Sequence, residues 1–153
     1  MAAQLPDVII INGEKMNLYS NPLEEFWISR KKKRPAFCTS SICKRGYVAT
    51  WEITNDQLFL KDIDGNYETQ SLLLAKQKLK YSIQVLFSKP SDKGVKAEWY
   101  SGKLRIPGGN MTMYEHNNYD SRFEKETIIT VEYGVVTKTV TLDYTQQTLT
   151  LIN

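Results

Sequence analysis

The residues that could carry acid–base catalysis are few. The chain of 153 residues contains one histidine, His116, directly after Glu115 in a polar segment, residues 114–120, that is typical of a loop. A nucleophile dyad or triad needs a base, which is usually histidine. No GxSxG, HExxH or GxxxxGK[ST] motif accompanies it. We therefore interpret His116 as a hydrogen-bonded or exposed loop residue rather than as a catalytic base.

Paired carboxylates offer a second route to catalysis. Asp62 and Asp64 lie two residues apart, and so do Glu124 and Glu126. Two acids on either side of a substrate can hydrolyse a glycosidic bond, but their separation in space decides this. Solvated acids on a sheet edge are the simpler interpretation. The third functional hypothesis is accordingly an enzyme that combines carboxylates with the histidine: Asp62, Asp64, Glu115 and His116.

The two cysteines, Cys38 and Cys43, stand in the sequence CTSSIC. A structural zinc site needs about four Cys or His ligands, and these two thiols with His116 are too few and badly spaced. Two free thiols are a simpler interpretation than a disulfide between residues so near each other. We expect no metal and no cofactor.

The positive charge is concentrated in the first third of the chain, although the net charge is only +3. Such a patch can neutralise phosphates, and nearby aromatic residues (Phe26, Trp27, Phe37, Tyr47) could stack on bases. Binding of nucleic acid is the second functional hypothesis, and a mobile, solubilising loop is the simpler interpretation. The residues concerned are Arg30, Lys31, Lys32, Lys33, Arg34, Lys44 and Arg45.

A second group is rich in aromatic and arginine side chains, which dominate the binding hot spots of protein interfaces. Trp99 and Tyr100 are neighbours on a predicted strand, so one of them faces the core and one faces outward. A protein partner bound through this group is the first functional hypothesis. The candidate residues are Trp99, Tyr100, Arg105, Tyr114, His116, Tyr119 and Arg122.

The elements that position these residues are mostly strands. Asn12-Gly13 follows a β-branched run and predicts a tight hairpin over residues 7–19. A second hairpin is predicted over residues 47–63, with its turn at Thr54-Asn55-Asp56. Two long strands, residues 123–133 and 135–144, meet at Gly134. A strand over residues 95–106 with an interior Gly102 is expected to end in a turn at residues 107–110.

Together these patterns predict a mainly β fold, an antiparallel meander that forms a sandwich or a strongly bent sheet. One short helix is expected around residues 70–88, where apolar residues suit either a helix or a strand. Residues 20–45 are expected to be largely irregular, with an exposed basic loop at residues 30–34. The whole chain, 1–153, is expected to form a single domain.

Three stretches resemble a group of small bacterial proteins of unknown function. They are RGYVATWEI from Arg45, LFLKDI from Leu58 and WYSGKLRIP from Trp99. The group has the same order of motifs, RGYxA-x-[WF]-E-I followed by W-[FY]-S-G-x-[LI]-R-I-P, and the resemblance covers about residues 45–130. It implies a bacterial origin and supplies no activity, substrate or catalytic residue.

The sequence therefore predicts a non-enzymatic protein-interaction module, such as an adaptor or an immunity-type protein that blocks a toxin. The first residues lack a basic segment and an apolar stretch of secretory length, and no apolar run approaches the ~20 residues of a spanning helix. We therefore expect a cytoplasmic protein with no membrane partner. A homo-oligomer is compatible with the sequence.

Overall fold

The computed structural model describes residues 3–69, 77–87, 91–115, 119 and 121–145. In these residues nine strands form one mixed sheet, and the mainly β prediction is confirmed. The strands are β1 (Asp7–Ile11), β2 (Glu14–Leu18), β3 (Tyr47–Thr54), β4 (Gln57–Thr69), β5 (Gln77–Tyr81), β6 (Val95–Lys96), β7 (Gly102–Met113), β8 (Arg122–Glu132) and β9 (Val135–Asp143). The helices are α1 (Pro22–Ser29) and α2 (Ile83–Leu86).

The sheet is bent so strongly that the two ends of its strand order meet. The order is β2-β1-β3-β4-β9-β8-β7, with β5 and β6 also paired to β4. Just after β2, the Tyr19 N–H donates to the carbonyl of Arg105 on β7 at 2.7 Å. The Arg105 N–H in turn donates to Ser20 Oγ at 3.1 Å. The segment after one edge strand thus covers part of the other edge.

Three hairpins form where local turn chemistry predicts them. Asn12 and Gly13 adopt φ of 53° and 79°, and Tyr133 and Gly134 adopt 48° and 80°. The turn between β3 and β4 has the same character, with two consecutive positive φ angles. Such pairs define the type I′ turn, whose twist matches that of the flanking strands. The hairpins β1–β2, β3–β4 and β8–β9 follow from these turns.

Two pairings differ from the simple meander. β1 lies parallel to β3, with Val8 opposite Thr50, because the segment between β2 and β3 carries the chain back before the next strand begins. β7 does not end in a turn at residues 107–110; it continues to Met113, with its register shifted between Gly108 and Met111. The Pro-Gly-Gly sequence therefore makes a bulged strand rather than a reversal.

The helix α1 occupies part of the region that was expected to be irregular. Pro22 stands at its first turn, where a missing N–H costs nothing, and Leu23, Phe26 and Trp27 are buried on one face. The helix ends in a Schellman-type pattern: the Lys32 N–H donates to Trp27 O at 3.0 Å, and Lys31 has a φ of 53°. Two turns are too short for periodicity to predict a helix.

Of the helix expected around residues 70–88, the described residues contain the single turn α2, which follows β5. Residues 70–76 and 88 lie outside the described part of the chain. No helix in the described part is both long and apolar enough to cross a bilayer.

Among the described residues, the core is rich in aromatic side chains and contains one buried carboxylate. Asp7 is fully buried at the start of β1, and its Oδ1 accepts the Ala49 N–H at 3.0 Å and Arg45 Nη2 at 2.7 Å. Its Oδ2 accepts Trp51 Nε1 at 3.1 Å. Arg45 also donates from Nη1 to Leu5 O at 2.6 Å. Burial raises the pKa of the Asp7 carboxyl, against the opposing effects of Arg45 and the two other donors.

A second polar network holds α1 against the sheet. Glu24 on the helix accepts Tyr47 Oη at 2.5 Å and a two-point contact from Arg34 at 2.9 and 3.2 Å. Arg34 also donates to the carbonyl of Arg45 at 2.5 Å. The Arg34 guanidinium lies over the Trp27 ring, 5.5 Å from its centroid. Arg45 belongs to both networks, because its side chain donates to Asp7 and its carbonyl accepts Arg34. Helix and sheet are thus fixed to the same segment.

We expect the substitution Asp7→Asn to destabilise the fold by about 3–5 kcal/mol, because it leaves the Arg45 charge buried without a counterion. The amide nitrogen that this substitution introduces would also face one of the three groups that donate hydrogen bonds to the wild-type carboxylate. Urea unfolding measures the change, and the exposed Asp62→Asn provides the control, expected within about 0.5 kcal/mol of wild type. Equal effects of the two substitutions would contradict a structural role for the buried pair.

Folding stability should also fall in alkaline solution through Tyr100. Burial raises the pKa of this phenol from 10.0 to about 12, with Glu25 adding to the effect. The neutral phenol is favoured in the folded state, so its contribution is complete below pH 10 and is lost as the pH rises towards 12. We expect the free-energy difference between wild type and Tyr100→Phe to shrink by about 2 kcal/mol over that range, measured by denaturant unfolding at several pH values. A constant difference would contradict the shift.

Candidate functional site

A clasp centred on Arg105 organises one end of the strands β7, β8 and β9. The Arg105 side chain donates from Nε to the Glu126 carboxylate on β8. Its Nη1 donates to Tyr119 O at 2.6 Å and its Nη2 to Ser121 O at 3.1 Å. The guanidinium lies over the Tyr19 ring, 5.3 Å from the centroid. One planar group with a rigid set of donors thus ties a strand, a loop and an aromatic ring together.

Beside this clasp lies a cleft of about 650 Å³. We call it the Arg105 cleft. Its lining combines both signs of charge with aromatic rings and hydroxyl groups, and comprises Arg105, Thr112, Tyr119, Arg122, Phe123, Glu124, Glu126, Tyr144 and Thr145. The volume is within the range of roughly 300–1,000 Å³ that ligand sites usually have.

The two carboxylates of the Arg105 cleft are engaged by neighbouring donors. Glu126 accepts the Tyr144 hydroxyl on Oε2 at 2.8 Å, while its Oε1 receives Arg105. The bond to Glu126 raises the pKa of the Tyr144 phenol, because ionisation would place two negative charges together. Glu124 accepts the Asn110 backbone N–H at 3.2 Å. The acids therefore hold the wall of the cleft in place.

Arg122 is the cationic side chain of the cleft that remains exposed. It begins β8 opposite Met113, and no ion pair or hydrogen bond of its side chain is found within residues 3–69, 77–87, 91–115, 119 and 121–145. In contrast to Arg105, its guanidinium can meet an external acceptor without breaking an internal contact.

The aromatic wall of the cleft is built by stacking. Tyr119 stacks on Tyr19 with ring centroids 4.9 Å apart, and Phe123 meets the same ring edge-on at 5.8 Å. Tyr119 Oη accepts Asn21 Nδ2 at 3.0 Å. On the neighbouring end of β7, Met111 and Met113 are about half exposed. Fixed rings beside exposed methionines form a surface suited to contacts with another molecule.

The structure brings together three of the seven residues predicted to bind a partner, namely Arg105, Tyr119 and Arg122. Tyr114 is exposed just beyond β7, and His116 lies outside the described residues. Trp99 and Tyr100 lie elsewhere, in a turn before β7: Trp99 donates to Pro22 O at 3.0 Å and Tyr100 is buried. Both rings pack inward, because they do not occupy a regular strand with alternating faces.

The basic group predicted for nucleic acid divides into structural and exposed members. Arg34 and Arg45 are held by the networks of Glu24 and Asp7, whereas Arg30, Lys31, Lys32 and Lys33 are exposed at the end of α1, as is Lys44 farther along. The aromatic residues expected to stack on bases are buried: Phe26, Trp27, Phe37 and Tyr47. The expected stacking of these four rings on bases was wrong, because the rings form the core beneath α1.

The candidate catalytic acids are divided between β4 and the segment after β7, and the base proposed for them, His116, lies outside the described residues. Asp62 and Asp64 are exposed on β4, opposite Thr50 and Val48 of β3, and Glu115 follows β7. The described residues contain no group of three or more His, Cys, Asp or Glu side chains that could hold a metal ion. Cys38 and Cys43 are free thiols, as expected.

Sequence reasoning missed the participation of Thr112, Tyr144 and Thr145 in the cleft, and treated Glu126 only as one of a pair of acids. The alternation of Arg122, Glu124 and Glu126 along one strand was a visible signal, since such residues share a face. The link from Glu126 to Arg105 and to Tyr144 depends on the register of three strands, with Glu126 opposite Pro107 and Leu142.

Comparison with known proteins gave no match to a protein-family model, a curated protein or a solved structure.

We expect Arg105→Lys to loosen the clasp, because an ammonium group retains the contact to Glu126 but cannot reach two carbonyls in a fixed plane. The free energy of unfolding should fall by about 2 kcal/mol, and the amides of Tyr119 and Ser121 should exchange faster with solvent. Arg122→Lys is the matched control and should change neither the free energy of unfolding nor the exchange of these amides. Unaltered exchange at these two amides in Arg105→Lys would show that the clasp does not hold the loop.

Proposed function

We propose that the protein is a non-enzymatic, cytoplasmic protein-interaction module that binds a partner protein in the Arg105 cleft. The observation that carries the proposal is the combination found there of a preformed wall and one exposed guanidinium, that of Arg122. Preorganised side chains lose little conformational freedom on binding, so more of the contact energy contributes to affinity.

The chemistry of the cleft favours a polypeptide over a nucleic acid. Glu124 and Glu126 line the cleft with Arg122, and two carboxylates would repel a chain of phosphates. A protein offers both signs of charge together with apolar groups. The half-exposed Met111 and Met113 supply adaptable apolar contacts beside the polar centre.

Within this proposal the partner inserts an acidic side chain next to Arg122. Glu126 and Glu124 already receive internal hydrogen bonds, so a basic group would have to compete with Arg105, Tyr144 and Asn110. At Arg122 the described residues offer an acidic group no such competitor. Carboxylate and guanidinium pair through two parallel hydrogen bonds, and Tyr119 and Tyr144 line the same cleft.

The test is affinity capture of the tagged full-length chain from a lysate of the cells that encode it. We expect wild type to retain one protein at near-stoichiometric yield and Arg122→Glu to lose it, with affinity at least about thirtyfold lower, the 2 kcal/mol of a hot-spot residue. Lys33→Glu makes the same charge change at the exposed end of α1 and should retain the partner.

Photo-crosslinking then locates the contact. A benzophenone amino acid at position Thr112 should form a covalent adduct with the retained protein, and the same group at position Asp62 on β4 should not. Adducts at both positions, or at position Asp62 alone, would contradict binding in the cleft. Capture of an oligonucleotide that is abolished by Lys31→Ala, Lys32→Ala and Lys33→Ala together would instead support the nucleic-acid function.

A further inference from the structure

Among the described residues, no strand pairs with the outer edge of β9 over most of its length. β9 pairs with β8 from Val135 to Asp143, but towards β4 the described strands pair with it only at Val135, opposite Gln57. Farther along β4, Phe59 and Leu60 pair with β6 instead. β9 therefore diverges from β4 after its first residues and, within the described part of the chain, continues as an edge strand.

The hydrogen bonds at Arg105 determine which β9 groups point outward. The Arg105 N–H and C=O face Ser20 and Tyr19, so they point away from Ile128, its opposite residue on β8. Because backbone groups alternate in antiparallel sheets, those of Ile128 point to β9, and Val140, opposite Ile128, points back to β8. The N–H and C=O groups of Thr139 and Thr141 therefore point outward.

The segment 139–142 of this edge lacks the proline, charge and bulge by which proteins often protect an edge strand, whereas Lys138 and the register shift lie before it and Asp143 lies after it. Residues 139–142 are Thr-Val-Thr-Leu, with no proline, no charge and high strand propensity. The register shift of the β8–β9 ladder lies before them, between Thr130 and Val131. A second strand can therefore pair here without first displacing a bulge or burying a charge.

We propose that two copies of this chain associate through their β9 edges, antiparallel, about a two-fold axis at Thr141. A two-fold axis perpendicular to a sheet leaves each side chain on the same face of the sheet. Two residues that oppose each other across the axis must therefore share a face, and residues that share a face are an even number of positions apart along the chain. Thr141 of one copy then faces Thr141 of the other and exchanges both hydrogen bonds with it. Val140 faces Leu142 of the second copy, and Thr139 faces Asp143.

The side chains make this pairing self-complementary, and this favours a second copy over an unrelated strand. Val140 and Leu142 share one face of the sheet with Ile128, and all three are only half-buried. In the paired arrangement the apolar strip of one copy continues into that of the other, while threonines fill the opposite face. An isologous contact of this kind closes on itself and stops at two chains.

Sedimentation equilibrium of the full-length chain tests the proposal. Wild type should have the mass of two chains and dissociate on dilution. Thr141→Pro should have the mass of one, 17.7 kDa, because proline removes the central outward N–H without touching the β8–β9 ladder. Thr141→Val retains that N–H and should remain a dimer. Circular dichroism checks that both variants fold.

Cross-linking tests the register in a background where Cys38 and Cys43 are serine. Cysteine at position Thr141 should be joined to its counterpart by a short bis-maleimide, since the two α-carbons lie about 5.5 Å apart. Cysteine at position Thr137 should not react, because eight residue steps separate the pair by about 27 Å.

A monomeric wild type at all concentrations would overturn the proposal. So would a dimeric Thr141→Pro, or equal cross-linking at the two positions. A monomer whose Thr139 and Thr141 amides resist hydrogen exchange would show that the chain covers its own edge. The test is independent of the Arg105 cleft, because Arg122→Glu is expected to leave the dimer intact.

Discussion

The fold depends on a carboxylate with no access to water. Asp7 begins β1, and its two oxygens receive the Ala49 amide, the Trp51 indole and the Arg45 guanidinium. These bonds lie where β1 first meets β3, so they set the start of the parallel pairing between two hairpins. A buried charge is costly unless it is paired and hydrogen-bonded. Any shift of register would separate the carboxylate from its donors, and this opposes alternative pairings.

The same segment transmits that constraint to the helix. Arg45 follows the irregular chain between α1 and β3, and its carbonyl accepts Arg34, which holds Glu24 of α1. The aromatic core beneath the helix is closed by these contacts: Trp27 and Tyr47 meet edge to face at 5.9 Å. Arg34 and Arg45, two of the seven basic residues that suggested a nucleic-acid site, thus form ion pairs within the protein. Part of the positive charge that is clustered in the sequence therefore stabilises the fold through internal ion pairs.

Arg105 on β7 is used in a related way, and a further arginine beside it, Arg122, is left exposed. Arg105 holds Tyr119 and Ser121 through their carbonyls and Glu126 through its carboxylate. Arg122 lines the same cleft with its guanidinium exposed. Arg105 thus stabilises the fold, whereas the charge of Arg122 is accessible to a partner. This difference is the basis for placing partner binding at the cleft rather than at the end of α1. The edge of β9 offers a separate surface, defined by backbone groups rather than charge.

Local chemistry alone determined the turns. Asn12-Gly13 and Gly134 predicted hairpins because few residues adopt consecutive positive φ angles, and that information lies within two residues of chain. The mainly β class followed from alternation and β-branched residues, which are also local. The sequence also placed Arg105, Tyr119 and Arg122 in one candidate binding group, and the structure brings these three to one cleft.

Tertiary structure decided what depends on residues far apart. The parallel pairing of β1 with β3 requires a carboxylate and an indole 44 positions apart to meet, and no local pattern encodes that distance. Trp99 and Tyr100 turned inward because their turn, not a strand, sets their direction. Tyr144 joined the Arg105 cleft through the register of three strands. Non-local contacts decide pairing and burial, because their free energy outweighs local preference. The cleft therefore emerged only from the folded chain.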